Sequence, residues 1–399
     1  MGDRMHHTNK TILKNGLIIT EDEIITDHVV LIENGTIRGI LPNQRTSLID
    51  AYEFDCKNDY ILPGLIDIHS DVIEKVIAPR KETVFSNIIA LNEIDKRLAY
   101  QGITTILHSI SFATTTICNN KRTLSLENMF NLCDLIYEQK QNLLINHKFH
   151  ARLELNAYSA YEKLLSYISE GKIQELSLMD HSPGQGQYRD LNTYRKIMNL
   201  QYGRISDEQA DQIIKVCKTK PKIEDKQLNL LIYKAKENHV PVAYHDVEFK
   251  SQIDMMVKRG INICEFPLNS EVAHYANKNN IFSVVGAPNI VLGHSHNNNT
   301  SARELIANKC ANVICSDYFS TSLLLSIFVL VNEKICSLPE AVKFVTINPA
   351  RAIGIDKKYG SISEGKVADI IIVNYDDVIP TVRATFVKGK LKTMINTWK

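Results

Sequence analysis

Between residues 61 and 352 the chain alternates short apolar runs with longer stretches in which hydrophobic residues recur at helical spacing. This alternation is typical of repeated βα units and a parallel sheet. Right-handed crossovers close such a set of units into a barrel. We therefore predict an α/β fold, a TIM-like (β/α)8 barrel over 61–352, with strands in the runs 61–69, 103–109, 149–155, 173–181, 240–246, 261–267, 282–288 and 311–317.

The two ends of the chain carry shorter runs of strand character. The first end contains GLIIT and HVVLIENGTIRGIL, in which Asn34 and Gly35 supply the pair of positive-φ residues that a tight hairpin needs. Comparable runs return only at 368–374 and 381–394. We predict that residues 1–60 and 353–399 form one discontinuous domain, a small β-sandwich.

The stretch from about 184 to 225 is long and polar for a βα connection. We interpret it as a lid or substrate loop. Gly184 and Gly186 would give its backbone N–H groups room to approach an anion.

Composition narrows the class of protein. A length of 399 residues suits one barrel of about 250 residues with an addition. Hydrophobic residues make up 44% and charged residues 23%, so the chain can bury a core. The 46 Lys and Arg residues against 45 Asp and Glu residues give no general electrostatic case for binding nucleic acid or a membrane surface.

The eight cysteines show no CxxC pair and no spacing typical of a secreted disulfide framework, and no apolar run reaches 18 residues. The segment MGDRMHHTNK lacks the apolar core of a signal peptide, and we exclude His6 and His7 from the candidate ligands. We expect a cytoplasmic protein whose partners are small molecules, with a homo-oligomer left open.

Polar residues end most of the predicted barrel strands, where active sites of this architecture lie. Imidazole and carboxylate groups on one face suit Zn²⁺, Mn²⁺ or Fe²⁺, as one ion or two. Residues two apart share a side of a strand, so His69 and Asp71 could both face the pocket. The strand-end candidates are His69, Asp71, Glu154, Asp180, His181, His245, Asp246, Glu265, Ser316 and Asp317.

A single strand-end histidine is more often a surface or hydrogen-bonded residue than a ligand. Six ionisable residues on six of eight strand ends are harder to explain by stability alone, because such groups are costly to bury unless they are paired or bind metal. We interpret His108 as packing. The remaining histidines away from the strand ends are interpreted as structural or solvent-facing: His147, His150, His239 and His274.

Two segments resemble the amidohydrolase superfamily: residues 61–69, ILPGLIDIH, resemble its first barrel strand, and residues 360–369, GSISEGKVAD, its return into the small β domain. Further motifs, in the same order between about 61 and 370, are similar to the α-D-ribose 1-methylphosphonate 5-triphosphate diphosphatases of the bacterial carbon-phosphorus lyase pathway. These motifs are HSD (69–71), APR (78–80), SLMDHSPGQ (177–185), HD (245–246), EFP (265–267), GAPNIV (286–291), SH (295–296) and SDY (316–318).

The resemblance implies a hydrolase that releases pyrophosphate from the substrate and leaves the 5-phosphate. It implies Asp317 as the catalytic acid/base and Glu154 as a bridging ligand, in place of the carboxylated lysine that no strand end supplies. The implied metal ligands are His69, Asp71, Glu154, His181 and His245; the usual His-x-His is His69-Ser-Asp71 here, which leaves Asp71 open.

A divalent ion would lower the pKa of bound water and screen phosphate charge, and Asp317 would take the proton from that water. Four residues are candidate substrate contacts: Arg80, Gln185, Asn289 and His296. The rival enzyme class hydrolyses a cyclic amide or an N-acyl group, since the same scaffold supports attack on carbonyls. The non-enzyme alternative is a binding or scaffold protein that keeps the barrel but has lost catalysis. Such a protein would be expected to lack the metal ligands.

Overall fold

The structure is a computed structural model that describes residues 9–45, 49–80, 83–113, 125–184, 191–202, 205–219, 221–294 and 300–395. Its strands in this part of the chain are β1 Lys10–Lys14, β2 Leu17–Ile19, β3 Ile24–Ile25, β4 His28–Glu33, β5 Thr36–Pro42, β6 Tyr52–Asp55, β7 Tyr60–Pro63, β8 Leu65–Ser70, β9 Ile103–Phe112, β10 Asn146–Glu154, β11 Glu175–Met179, β12 Val242–His245, β13 Ile263–Glu265, β14 Phe282–Gly286, β15 Val313–Cys315, β16 Ile370–Asn374, β17 Thr381–Val387 and β18 Lys390–Met394.

The helices described are α1 Val72–Ile77, α2 Asn87–Tyr100, α3 Leu126–Gln139, α4 Tyr161–Ser169, α5 Leu191–Tyr202, α6 Asp207–Thr219, α7 Asp225–Glu237, α8 Lys250–Arg259, α9 Ser270–Lys278, α10 Ala287–Leu292, α11 Ala302–Ala307, α12 Ser322–Asn332, α13 Leu338–Lys343 and α14 Ile347–Ala352. No helix in the described part of the chain is long and apolar enough to cross a bilayer.

Strands β8 to β15 form one parallel sheet in sequential order, which confirms the predicted barrel. The sheet closes where Ser70 pairs with Asp317. The Asp317 N–H donates to the carbonyl of His69, and the Asp71 N–H donates to the carbonyl of Asp317, both at 3.0 Å. All eight predicted runs contain a barrel strand, so the carboxyl ends of the strands meet at one mouth.

The first predicted run belongs to two different sheets. Its residues up to Pro63 lie in β7, which pairs with β16, and the barrel strand β8 starts at Leu65. Gly64 makes this step possible, because a Cβ atom at this position would lie 2.2 Å from Thr104 Oγ1. The chain therefore passes from the terminal sheet, through β7 and Gly64, directly into the first barrel strand β8.

Side chains in the barrel follow the two-residue alternation of strands. Ile66, Leu107, Ile263 and Val313 belong to a cluster that fills the interior. The alternate positions pack against the surrounding helices in the largest hydrophobic cluster. In β10 one face is polar instead, and it carries Asn146, Lys148, His150, Arg152 and Glu154.

Both ends of the chain build the additional β domain, as predicted. A six-stranded sheet in the order β18-β17-β16-β7-β2-β3 mixes strands from the two ends, and a four-stranded sheet has the order β5-β4-β1-β6. Leu13, Ile37, Ile61 and Phe386 are among the residues of the shared core. The hairpin turn between β4 and β5 is the predicted one, with φ of 52° at Asn34 and 77° at Gly35.

The stretch from 184 to 225 is not an extended loop. It contains α5 and α6, which have a small core of their own made of Tyr194, Met198, Ala210 and Ile214. The charged residues of this stretch made it look like a loop, although buried residues recur there at helical spacing. Gly184 has a φ of 91°, and Gly186 lies outside the described residues.

Candidate active site and metal centre

Two groups of side chains at the barrel mouth could each hold a metal ion. In each group one nitrogen or oxygen atom from every residue lies within 4.8 Å of the others. The first group is His69, His150 and Glu265, and the second is His181, His245 and Asp246.

Glu265 is the centre of the first group. His69 Nδ1 makes a short hydrogen bond to Glu265 Oε1, and Ser177 Oγ donates to Glu265 Oε2 at 2.5 Å. His150 Nδ1 donates to the carbonyl of Ile68 at 3.1 Å. His150 Nε2 has no hydrogen-bond partner among the described residues and lies 3.9 Å from Glu265 Oε1. A buried, unpartnered ring nitrogen facing a carboxylate is the arrangement that a cation would complete.

Burial also keeps the His150 imidazole neutral. It lowers the pKa of His150 to about 3, against the opposing charge of Glu265. Burial likewise lowers the pKa of His69, although Glu265 acts to raise it. A neutral imidazole is the form that binds a metal ion.

The second group places a histidine between two carboxylates. His181 Nδ1 donates to Glu154 Oε1 at 2.6 Å, and Nε2 lies 3.1 Å from Asp246 Oδ2. Burial lowers the pKa of His181, but the charge of Glu154 and the hydrogen bond to Asp246 outweigh it and raise the pKa to about 10. A divalent cation could replace the proton held there, since metal binding displaces protons from such ligands.

His245 joins the two groups into one site. Its Nδ1 lies 3.1 Å from Asp246 Oδ1, without the geometry of a hydrogen bond. Its ring centroid lies 5.6 Å from that of His69 and 5.5 Å from that of His181. Phe266 packs 5.0 Å from both His69 and His245 and closes one side of the site.

Asp317 lies two residues after β15, and its backbone contacts that of His69 in the first group. The backbone pairing with β8 holds it with a φ of 54°. Desolvation and the charge of Asp71 raise the pKa of its carboxyl group to about 7, although Arg152 and Lys75 act to lower it. A Cβ atom at Gly286 would lie 3.6 Å from Asp317 Oδ2, so glycine leaves space in front of the carboxylate.

The other predicted residues are less enclosed or lie outside the described residues. Asp71 Oδ1 is buried, has no hydrogen-bond partner in the part of the chain that the structure describes, and lies 3.9 Å from Lys75 Nζ. Arg80 is exposed. Asn289 is half-buried near the start of α10, after β14, and no described residue forms a hydrogen bond with its buried Oδ1. Gln185 and His296 lie outside the described residues.

Arg152 is a residue of this site that the sequence argument missed. Its Nη2 donates to His245 Nε2 at 3.3 Å, and its Nε donates to Met179 Sδ at 3.3 Å. In the described part of the chain it forms no ion pair with a carboxylate. The sequence does contain evidence for it: Arg152 is two residues from Glu154 in β10, and residues two apart lie on the same face of a strand.

His150 is two residues before Arg152 in β10 and therefore lies on the same face of the strand. We predicted that it lies away from the reactive face, and that prediction is wrong, because it faces His69 inside the barrel. His108 packs as predicted: its Nε2 lies 2.8 Å from His147 Nδ1, and His147 Nε2 contacts Asp95 in α2 at 3.0 Å. His147 is thus structural and buried.

The donor set fits divalent metal ions. It consists of imidazole nitrogens and carboxylate oxygens, which Zn²⁺, Mn²⁺ and Fe²⁺ all accept. Unpartnered atoms on His150 and Asp71 remain for a cation to contact. A closed (β/α)8 barrel with such donors at the strand ends is the architecture of a metal-dependent hydrolase.

The chain belongs to the amidohydrolase family, whose profile matches residues 60–394. It is 29% identical over 382 residues to the α-D-ribose 1-methylphosphonate 5-triphosphate diphosphatase of Escherichia coli K12, covering 92% of this chain and 96% of that protein. It is 20% identical over 404 residues to the imidazolonepropionase of Thermoplasma volcanium, covering 93% of this chain and 92% of that protein.

Solved structures show the same fold. The N-acetylglucosamine-6-phosphate deacetylase of Pasteurella multocida matches with a TM-score of 0.65 at 14% identity, covering 96% of this chain and 99% of that one. Molinate hydrolase matches with a TM-score of 0.66 at 12% identity, covering 96% of this chain and 94% of that one.

Proposed function

We propose that this protein hydrolyses α-D-ribose 1-methylphosphonate 5-triphosphate to the 5-phosphate and pyrophosphate, as a cytoplasmic step of phosphonate catabolism. The observation that carries the proposal is the similarity to the E. coli diphosphatase over 92% of this chain and 96% of that protein. The reaction cleaves the bond between the first and second phosphoryl groups, and the elements of water are divided between the two products.

The charge of the site supports a polyphosphate substrate. Arg152 supplies a guanidinium group at the mouth, which contacts His245 and Met179 and forms no ion pair with a carboxylate of the described chain. Arginine matches the geometry of phosphate oxygens. We therefore add Arg152 to the proposed substrate contacts Arg80, Gln185, Asn289 and His296.

We propose that His181, His245 and Asp246 hold one divalent ion. His69, His150 and Glu265 would hold a second ion, with Asp71 at its edge. When bound, such ions polarise water and shield phosphate charge. Glu154 would orient His181 through the 2.6 Å hydrogen bond, as carboxylates orient ligating histidines.

Asp317 would accept the proton of the attacking water. Its backbone N–H donates to the carbonyl of His69, a residue of the first group, so the end of β8 holds it at the mouth.

The direct test is to incubate metal-loaded protein with the ribosyl methylphosphonate triphosphate and follow the products by phosphorus NMR. We expect pyrophosphate and the 5-phosphate in equal amounts, and no product with Asp317→Asn on the same time scale. Release of orthophosphate alone, or no turnover with any of the three metals, would contradict the proposal.

A second candidate is hydrolysis of a cyclic amide or an N-acyl group. The similarity to an imidazolonepropionase and the fold shared with a deacetylase favour keeping it. Assaying imidazolonepropionate and N-acetylglucosamine 6-phosphate with the same metal-loaded preparation separates the two candidates. A specificity constant for either compound above that for the triphosphate would favour the second.

A further inference from the structure

A second polar cavity lies at the opposite end of the barrel from the active site. It has a volume of about 220 Å³, and its walls include the amino ends of β9 and β10 and the carboxyl ends of α3 and α4. We call it the floor pocket, and its lining includes Thr105, Lys140, Asn146, Lys148, Lys172 and Lys388.

Two of its four lysines have an ordinary structural explanation. Lys140 and Lys172 follow the ends of α3 and α4, where a positive charge complements the helix dipole. Lys172 Nζ also pairs with Asp134 at 2.8 Å and with Glu170 at 2.7 Å. Lys140 lies over the ring of Tyr137 at 3.8 Å.

Lys148 and Lys388 have no such explanation. Lys148 is in a strand and half-buried, and Lys388 is in the turn between β17 and β18. Neither forms an ion pair within the residues that the structure describes. Partial burial, and then the charges of Lys140 and Lys388, lower the pKa of the Lys148 ammonium group, so these charges lie close enough to repel one another.

The nearby carboxylate of Asp369 attracts Lys388 but forms no ion pair with either lysine within the described residues. Its Oδ1 accepts from the backbone N–H of Lys388 at 2.7 Å, and its Oδ2 accepts from Asn146 Nδ2 at 2.9 Å. Bringing several ammonium groups together around a partly enclosed space costs stability unless an anion joins them.

We propose that the floor pocket binds a small phosphate-bearing anion, of the size of orthophosphate or pyrophosphate, separately from the active site. Lysine ammonium groups bind phosphate as point charges. The volume gives room for several water molecules, which suits an anion of this size but not a nucleotide. The inference does not depend on the proposed function.

The test is calorimetric titration of the metal-loaded enzyme with pyrophosphate at low ionic strength. Lys148→Met removes the half-buried charge and keeps the aliphatic stem, and Lys388→Asn keeps a residue that tolerates the φ of 51° at that turn. Lys278→Gln, an exposed lysine at the end of α9, is the matched control. We expect each floor-pocket variant to weaken one class of pyrophosphate sites at least about 10-fold, and the control to change it less than about 2-fold.

Two further measurements separate this site from alternatives. Arg152→Met should leave this class of sites unchanged, since it lies at the other end of the barrel. In the absence of anion, the Lys148→Met variant should have a melting temperature at or above that of the wild type, because the repulsion between the lysine charges is relieved. If Lys148 had only a structural role, its removal would lower the melting temperature.

Unchanged pyrophosphate affinity in both floor-pocket variants would overturn the proposal, as would equal stabilisation of the wild type by chloride at matched ionic strength. A melting temperature lowered in both variants, with the stabilisation by pyrophosphate retained, would also overturn it and assign the lysines to structure.

Discussion

Arg152 Nη2 lies 3.3 Å from His245 Nε2, so a guanidinium group sits directly against a candidate metal ligand. Because arginine is always charged, this position adds positive charge to the site at every pH at which the enzyme is folded. We propose that this guanidinium group contacts a phosphate of the substrate when a metal ion is bound to the histidine.

We therefore expect Arg152→Met to lower kcat/KM for the triphosphate by about 10-fold to 100-fold, the effect of one or two lost charge-assisted hydrogen bonds. Metal content, measured on the same preparation, should stay near that of the wild type. Arg80→Ala is the companion variant, and as a phosphate contact it should raise KM or lower kcat. Unchanged kinetics in Arg152→Met would remove it from the substrate contacts, and the same result in Arg80→Ala would leave that residue a solvated loop arginine.

Substituting Glu154, His181 or His245 by Ala should lower metal content along with activity, because each change leaves the cation short of a ligand or of the group that orients one. Metal analysis by mass spectrometry after gel filtration measures this. His274→Ala, an exposed histidine in α9, is the control and should keep its metal. Normal stoichiometry in all three site variants would refute the ligand assignment.

Asp317→Asn should separate proton transfer from metal binding. The amide keeps the size of the side chain but cannot accept the proton, so kcat should fall by about 10² to 10⁴ with near-normal metal content. Steady-state kinetics and metal analysis on one preparation check it. An active variant excludes the proton-acceptor role, whereas an inactive and metal-depleted one makes Asp317 a ligand or a support.

Asp95 should be important for stability rather than for chemistry. Its buried carboxylate accepts from the backbone N–H groups of Leu144 and Ile145 and contacts His147. Asp95→Ala leaves these donors unsatisfied and should lower the free energy of unfolding by about 3 kcal/mol in urea denaturation. Because Asp95 lies far from the mouth, kcat of the folded fraction should be unchanged, and a large loss of kcat at full folding would contradict this assignment.

Gly64→Ala should destabilise the step between β7 and β8 by about 1 to 3 kcal/mol, since the new Cβ atom would meet Thr104. Thr104→Ala should reduce that cost, so the double variant should be more stable than the sum of the two changes predicts. Thermal melting of the four proteins measures the coupling. Strict additivity would show that the contact with Thr104 is not the cause.

Much of the site could be predicted from the sequence, because the carboxyl ends of the strands meet at one mouth in any barrel of this type. Glu154, His181 and Asp317 lie at the mouth for this reason. His150 and Arg152 could not be predicted in this way, because they lie deeper along β10 and their inward direction depends on register rather than on position at a strand end. The helices between 184 and 225 were missed because charged residues cover their exposed faces.

The closure of the barrel has a consequence for how activity depends on folding. The pairing of Ser70 with Asp317 joins positions 247 residues apart, and it is also what orients the proposed proton acceptor. A chain with seven strands assembled and the eighth undocked would have its histidines nearly in place but no oriented carboxylate. Such a partly assembled chain would be inactive. Turnover would therefore measure the fraction of chains in which all eight strands are docked, rather than how compact the chains are on average.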